Sequence, residues 1–149
     1  MAITAVTYGK FLQKQLDGGH PVDFDTDTIK VSLHTSVYTP ARDTHEFFSS
    51  ITNELATALG YTAGGATLAG ASVGLDTGGH FAYFDATDVT WAGAGFTFRY
   101  AVLRKDTGVA GTSPVICYFD FGTDITPAGD YILQWAIPGS GAILKFLSV

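Results

Sequence analysis

Asp23, Asp25 and Asp27 stand at alternating positions, the spacing that opens a calcium-binding loop. An EF-hand continues with glycine at its sixth position, for the sharp turn, and a bidentate carboxylate at its twelfth. Thr28 and His34 occupy those places, so the EF-hand reading fails. A calcium site of another build stays open beside the plainer reading, a solvated turn ahead of a strand. His20, His34, His45 and His80 show no i, i+2 or i+4 relation, so any metal site using them has to be assembled by the fold. Asp85 and Asp88 flank a turn, where aspartates commonly accept hydrogen bonds from nearby backbone N–H groups. Nothing beside them supports a general acid and base pair.

Nucleophilic chemistry has little more support. No Gly-x-Ser-x-Gly elbow is expected, although a Ser-His-Asp set can be dispersed along a chain and stays open. Gly60, Gly64, Gly65 and Gly70 crowd one stretch without dinucleotide-binding or P-loop spacing, which predicts a loop needing positive φ rather than a phosphate cradle. The single Cys117 excludes an intrachain disulfide and a cysteine zinc site, and its place between Ile116 and Tyr118 predicts a buried, inert thiol. Tyr61, Trp91, Tyr100, Tyr118 and Trp135 could line a sugar-binding face. Trp and Tyr in alternating strands are more often core or interface residues, and Trp91 and Trp135 are expected to be mostly buried, in the sandwich or at a subunit contact.

The elements that must position these residues change character along the chain. Tyr8, Phe11, Leu12 and Leu16 fall at i, i+3, i+4 and i+8, the stripe of a short helix ended by Gly18 and Gly19. Ile29, Val31 and Leu33 alternate with Lys30, Ser32 and His34 in the first strand. Asp43 and Glu46 have the spacing of an N-cap and its N3 partner ahead of Phe47, Phe48 and Ile51, which predicts a second short helix. From Ala66 the pattern is strand and turn. Runs over 68–75 and 80–84 are joined by the turn residues Asp76, Thr77, Gly78 and Gly79, and further strands are predicted at 89–92, 96–103, 115–121, 131–137 and 142–147. The fold class is mainly β: an antiparallel β-sandwich or jelly roll with one or two short N-terminal helices. Residues 1–149 form a single domain with a helical arm at about 5–18, since no repeat or linker divides them.

Composition narrows the function. Hydrophobic residues make up 46% and charged residues 15%, against about 25% charged in an ordinary soluble domain. So sparse a charged surface predicts apolar area hidden against other chains, most simply in a homotrimer. The candidate contact residues are Tyr8, Phe11 and Leu12 on the first helix, with Phe47, Phe48 and Tyr61. A net charge of −6 with scattered Lys and Arg argues against nucleic-acid binding. No apolar run reaches the ~20 residues that cross a bilayer, and no signal peptide follows Met1. No cofactor and no catalytic set is expected.

A series of motifs adds to this reading. Asp25-Thr26-Asp27-Thr28-Ile29-Lys30-Val31-Ser32-Leu33-His34-Thr35-Ser36 is followed by Tyr38-Thr39-Pro40 and Asp43-Thr44-His45. Then come Gly60-Tyr61-Thr62-Ala63-Gly64-Gly65-Ala66-Thr67-Leu68, Asp88-Val89-Thr90-Trp91, Arg99-Tyr100-Ala101-Val102 and Phe119-Asp120-Phe121-Gly122. Their content and order, from Asp25 to the C-terminus, resemble a family of small virion structural proteins of tailed bacteriophages. The resemblance implies a virion component assembled in the host bacterial cytoplasm, a head decoration or cement protein seated on the major capsid protein. It carries no catalytic residues. A tail or fibre component would use the same kind of β module, and a glycan-binding module is the reading from another class.

Overall fold

The computed structural model describes residues 4–135 and 143–147. A strand, β1 (Thr4–Thr7), precedes the helix α1 (Gly9–Asp17). Gly18 ends α1 in the left-handed conformation, φ 72°, which costs glycine nothing. Strands β2 (Ile29–His34), β3 (Ala66–Thr67), β4 (Ser72–Asp76), β5 (Phe81–Asp85), β6 (Val89–Ala94), β7 (Phe98–Lys105), β8 (Val115–Ile125), β9 (Gly129–Leu133) and β10 (Leu144–Leu147) follow. All pairings are antiparallel, in a five-stranded sheet ordered β1-β8-β7-β2-β3, a three-stranded sheet β10-β5-β4 and the pair β6-β9. The expected mainly β, antiparallel class is what the chain adopts.

Register explains why β2 is buried on both faces. Val31 lies opposite Leu103, which lies opposite Cys117; Leu33 similarly aligns with Ala101 and Phe119. This apolar face joins Phe84, Val89, Trp91, Leu133 and Leu144 of the smaller sheets in one core. On the other face His34 aligns with Tyr100, Ser32 with Val102, and Lys30 with Arg104. Residues 35–64 cross that second face and its β2 edge as a strap. His34 bridges Glu54, the Leu55 N–H donates to the Leu33 carbonyl, and Tyr38 packs edge-on against Tyr100 at 5.5 Å. Trp91 and Trp135 are buried as expected, Trp135 against Phe119.

Three expectations are corrected. The second helix does not form. Thr44 and His45 donate to the Ala41 carbonyl in a single turn, after which the Glu46 carbonyl accepts from Val115 and Phe48 donates to Ser113. These bonds to the start of β8 draw Phe47 into an extended conformation opposite Pro114, leaving one 3-10 turn at Phe48–Ser50. Asp43 caps nothing and is exposed beside Arg42. Secondly, the beginning of the supposed arm is strand: Ala5 and Val6 pair with Phe119 and Tyr118, so only Gly9–Asp17 is helical. Thirdly, the run 68–75 is broken at Gly70, φ 62°, and the chain passes from the five-stranded to the three-stranded sheet. The hairpin turn after Asp76 forms as expected, with the Asp76 carboxylate accepting from the Gly78 and Gly79 N–H groups. The turn expected at 138–141, with the adjoining ends of its two strands, lies outside the described residues.

Candidate functional site

The aspartate series folds into a turn whose carboxylates are already engaged. Asp23 accepts from the Asp25 N–H at 3.1 Å, and Asp27 accepts from the Asp23 N–H at 2.8 Å. Lys105 Nζ lies 2.8 Å from the same Asp27 oxygen, while Asp25 accepts from the Val73 N–H of β4 at 3.2 Å. The set therefore faces three directions. Among the described residues no group of three or more His, Cys, Asp or Glu side chains is placed to hold a metal ion. Asp85 bonds the adjacent Ala86 N–H, and Asp88 instead reaches the Trp135 N–H at 2.8 Å. The two carboxylates thus serve two separate backbone positions.

The nearest thing to a nucleophile and base lies under the strap. His34 Nδ1 is 2.9 Å from the Thr52 carbonyl and must donate to it, which leaves Nε2 to accept from the Ser32 hydroxyl at 2.9 Å. Burial pulls the His34 pKa below its ordinary value, partly opposed by the Thr52 bond and the Glu54 charge. Ser32 and His34 are both fully buried, so a substrate has no approach. Sequence reading missed this pair as a unit, although the i, i+2 spacing on one strand face was its signal. The sequence expectation about the elbow also needs correction. Gly70-Ala71-Ser72-Val73-Gly74 does fit the bare pattern, but Ser72 starts an edge strand instead of a strand-to-helix turn.

A second buried cluster closes the edge of β2. The Tyr61 hydroxyl donates to Glu54 Oε1 at 2.7 Å and accepts from the Leu33 N–H at 3.1 Å. Glu54 Oε1 also accepts from the Gly64 N–H at 2.6 Å. Burial, then the neighbouring carboxylate, pushes the Tyr61 phenol far above its ordinary range. Arg104 donates through Nη2 to the Gly64 carbonyl at 2.6 Å and lies 3.7 Å over the Phe48 ring; its Nε and Nη1 meet no partner among the described residues. Gly65 sits so close to the Val31 carbonyl that no side chain fits there, which is why the glycine-rich stretch reads as loop. A hollow of about 200 Å³ beside it is lined by Gly60, Thr62, Gly65, Ala66, Thr90 and Trp91. Cys117 is buried, and burial drives its thiol pKa upward, away from nucleophile behaviour.

The surface of the molecule carries the other kind of feature. Leu12, Gln15, Leu16, Phe24 and Phe146 line an apolar groove of about 480 Å³ between α1 and β10. Leu12 is 42% and Leu16 90% exposed, and Phe146 is exposed as well. Opposite Phe146 on the three-stranded sheet lies Ala82, and beyond it the exposed Leu75; exposed Val73 occupies the same sheet face. Of the six candidate contact residues, Leu12 alone lies in this groove. Tyr8, Phe11 and Tyr61 are corrected: they are buried within the chain itself, because the β1-to-α1 junction and the strap close over them. Phe47 and Phe48 are half-buried, against His20 and Arg104 respectively. Sequence reading missed Phe24, which is itself buried, and the exposed Phe146, Val73 and Leu75, whose exposure depends on which sheet face the fold leaves open.

No protein-family model, curated protein or solved structure matches the chain.

Proposed function

We propose that the protein is a structural subunit of a bacteriophage virion, a head decoration or cement protein. It binds the major capsid protein and adds stability through contact area, without a catalytic step or a cofactor. The observation that carries this reading is the apolar groove of Leu12, Leu16, Phe24 and Phe146, continued by Leu75 and Val73, in a chain whose polar clusters are turned inward. Contiguous apolar surface of this kind marks an association site. The motif series from Asp25 onward supplies the phage context. Three copies around a local three-fold axis would each place α1 against a neighbour, and the lattice would then be stabilised because the protein binds the assembled form and not free subunits.

The net charge of −6 speaks against nucleic acid as the partner. A tail or fibre subunit could use the same groove. A glycan-binding role has less support, since Tyr61, Trp91, Tyr100 and Trp135 are buried and form no open platform. The test is to image particles with and without the protein by electron microscopy and to heat them. Density on the head, heads that break at lower temperature without the protein, and unchanged adsorption are expected. Density on the tail, or normal heads with lost adsorption, would replace the head reading by the tail one.

A further inference from the structure

Tyr8, Tyr38 and His45 form a hydrogen-bond chain in which the protons can be counted. The Tyr8 and Tyr38 hydroxyls lie 2.7 Å apart, and the Tyr38 hydroxyl lies 3.0 Å from His45 Nδ1. Tyr8 is 0% and Tyr38 1% exposed, so neither hydroxyl can turn to water. Two hydroxyl protons need two acceptors inside this chain. They are the Tyr38 oxygen, for Tyr8, and the Nδ1 lone pair, for Tyr38. If Nδ1 carries a proton, three protons share two bonds, and one buried O–H is left with no acceptor. Neutral His45 with its proton on Nε2 is therefore the one form that satisfies the chain.

The chain ties together three elements. Tyr8 joins β1 to α1, and its N–H donates to the Ile116 carbonyl of β8. Tyr38 and His45 belong to the strap, which also takes the Gly9 N–H at the Arg42 carbonyl and the Val115 N–H at the Glu46 carbonyl. Among the described residues no charge stands ready to stabilise an imidazolium at His45. The groups facing His45 across the packing are phenols: Tyr8, Tyr38 and, behind them, Tyr100 and Tyr118. Its charged neighbours in sequence are turned elsewhere, Glu46 to His20 at 3.4 Å and Arg42 to Asp43 at 3.8 Å. Partial burial alone already lowers the His45 pKa. His34 differs. On gaining a proton it could donate to Ser32, whose hydroxyl could turn to the Val102 carbonyl at 3.5 Å, and Glu54 opposes the cost.

We propose that this chain is an acid-sensitive latch: neutral His45 holds residues 38–48 over the sheet, and its protonation releases them together with the start of α1 while the sheets stay folded. The inference is independent of the virion reading. It is tested by hydrogen exchange of the intact protein at about pH 7.5 and about pH 5, corrected for intrinsic rates, beside NMR of the imidazoles. Peptides covering 38–48 are expected to lose protection by about 10-fold or more at the lower pH, while β7 and β8 stay protected. His45→Asn, which places a neutral oxygen near the Nδ1 position, should abolish the acid effect; His20→Gln should keep it. NMR should show His45 as the Nε2–H form, titrating below the ordinary histidine range. The proposal is overturned if wild-type protection of 38–48 does not change, or if His45→Asn still opens in acid. Should His45→Asn not fold, an Nδ1–H tautomer or an ordinary titration in the wild type overturns it equally.

Discussion

Tyr61, a candidate contact residue by sequence, and Leu16, on the stripe of the first helix, are treated by the fold in opposite ways. Tyr61 is 2% exposed, its hydroxyl shared between the Glu54 carboxylate and the Leu33 N–H, its ring against Trp91 and Phe96. Leu16 is 90% exposed on the rim of the α1 groove. The region around Tyr61 is completed by the chain itself, since the strap supplies partners to Leu33, Gly64 and Arg104. The region around Leu16 has its apolar side chains in place, with nothing among the described residues laid over them. The contrast teaches where to look for each kind of energy: folding stability under the strap, association at the groove.

Truncating the covered side should therefore cost most. Tyr61→Ala is expected to lower stability by about 3–5 kcal/mol, read from the urea midpoint, because it removes a buried aromatic, takes one of two donors from Glu54 and leaves the Leu33 N–H unpaired. A change under 1 kcal/mol would mean that the strap is not part of the cooperative unit. Mild acid attacks the same side without mutation. His34 and His45 both have pKa values held below the ordinary 6.5 by burial. The unfolded chain therefore binds more protons as pH falls through 6.5, so stability is full above that value and declines below it. A urea midpoint independent of pH between about 7.5 and 5 would remove both histidines from the account.

Smaller effects sharpen the contrast from outside the strap. The Arg99 guanidinium grips Asp120 through two bonds at 3.0 and 3.2 Å, holding its carboxyl below the usual range. Both side chains are partly exposed, so Asp120→Asn should cost only about 0.2–1 kcal/mol by urea titration. That contribution is present above the carboxylate range and is lost as pH falls below it. Smallest of all, Leu16→Gln should leave the isolated chain within about 0.5 kcal/mol of wild type. The same substitution should weaken association, measured by sedimentation or by retention on particles. Loss of fold stability with association unchanged would reverse the assignment of the two regions.

Local signals carried much of the fold. The stripe from Tyr8 with Gly18 behind it set α1, the Asp76 to Gly79 turn set the hairpin, and alternation set β2, β7 and β8. The second helix was misread because its capping spacing is local, while the bonds that defeat it come from Ser113 and Val115, distant in sequence. For the same reason Tyr8 and Tyr61 were taken for surface contacts: their hydroxyl partners, Tyr38 and Glu54, are set by the path of the strap. The groove was half legible. Leu12 and Leu16 lie on the predicted stripe, but Phe24 and Phe146 reach them only through the packing of the three-stranded sheet.

The Asp25 carboxylate on the Val73 N–H has a consequence for solubility. β4 is the outer strand of its sheet, and Val73 and Leu75 give it exposed apolar side chains. Outward N–H groups beside exposed apolar residues are a template on which another strand can add, and repeated addition makes fibrils. A carboxylate held on one of those donors covers the template near the start of β4. Asp25, whose spacing with Asp23 and Asp27 matches the opening of a calcium loop, thus occupies one donor on a sheet edge and leaves one fewer site at which a further strand can add.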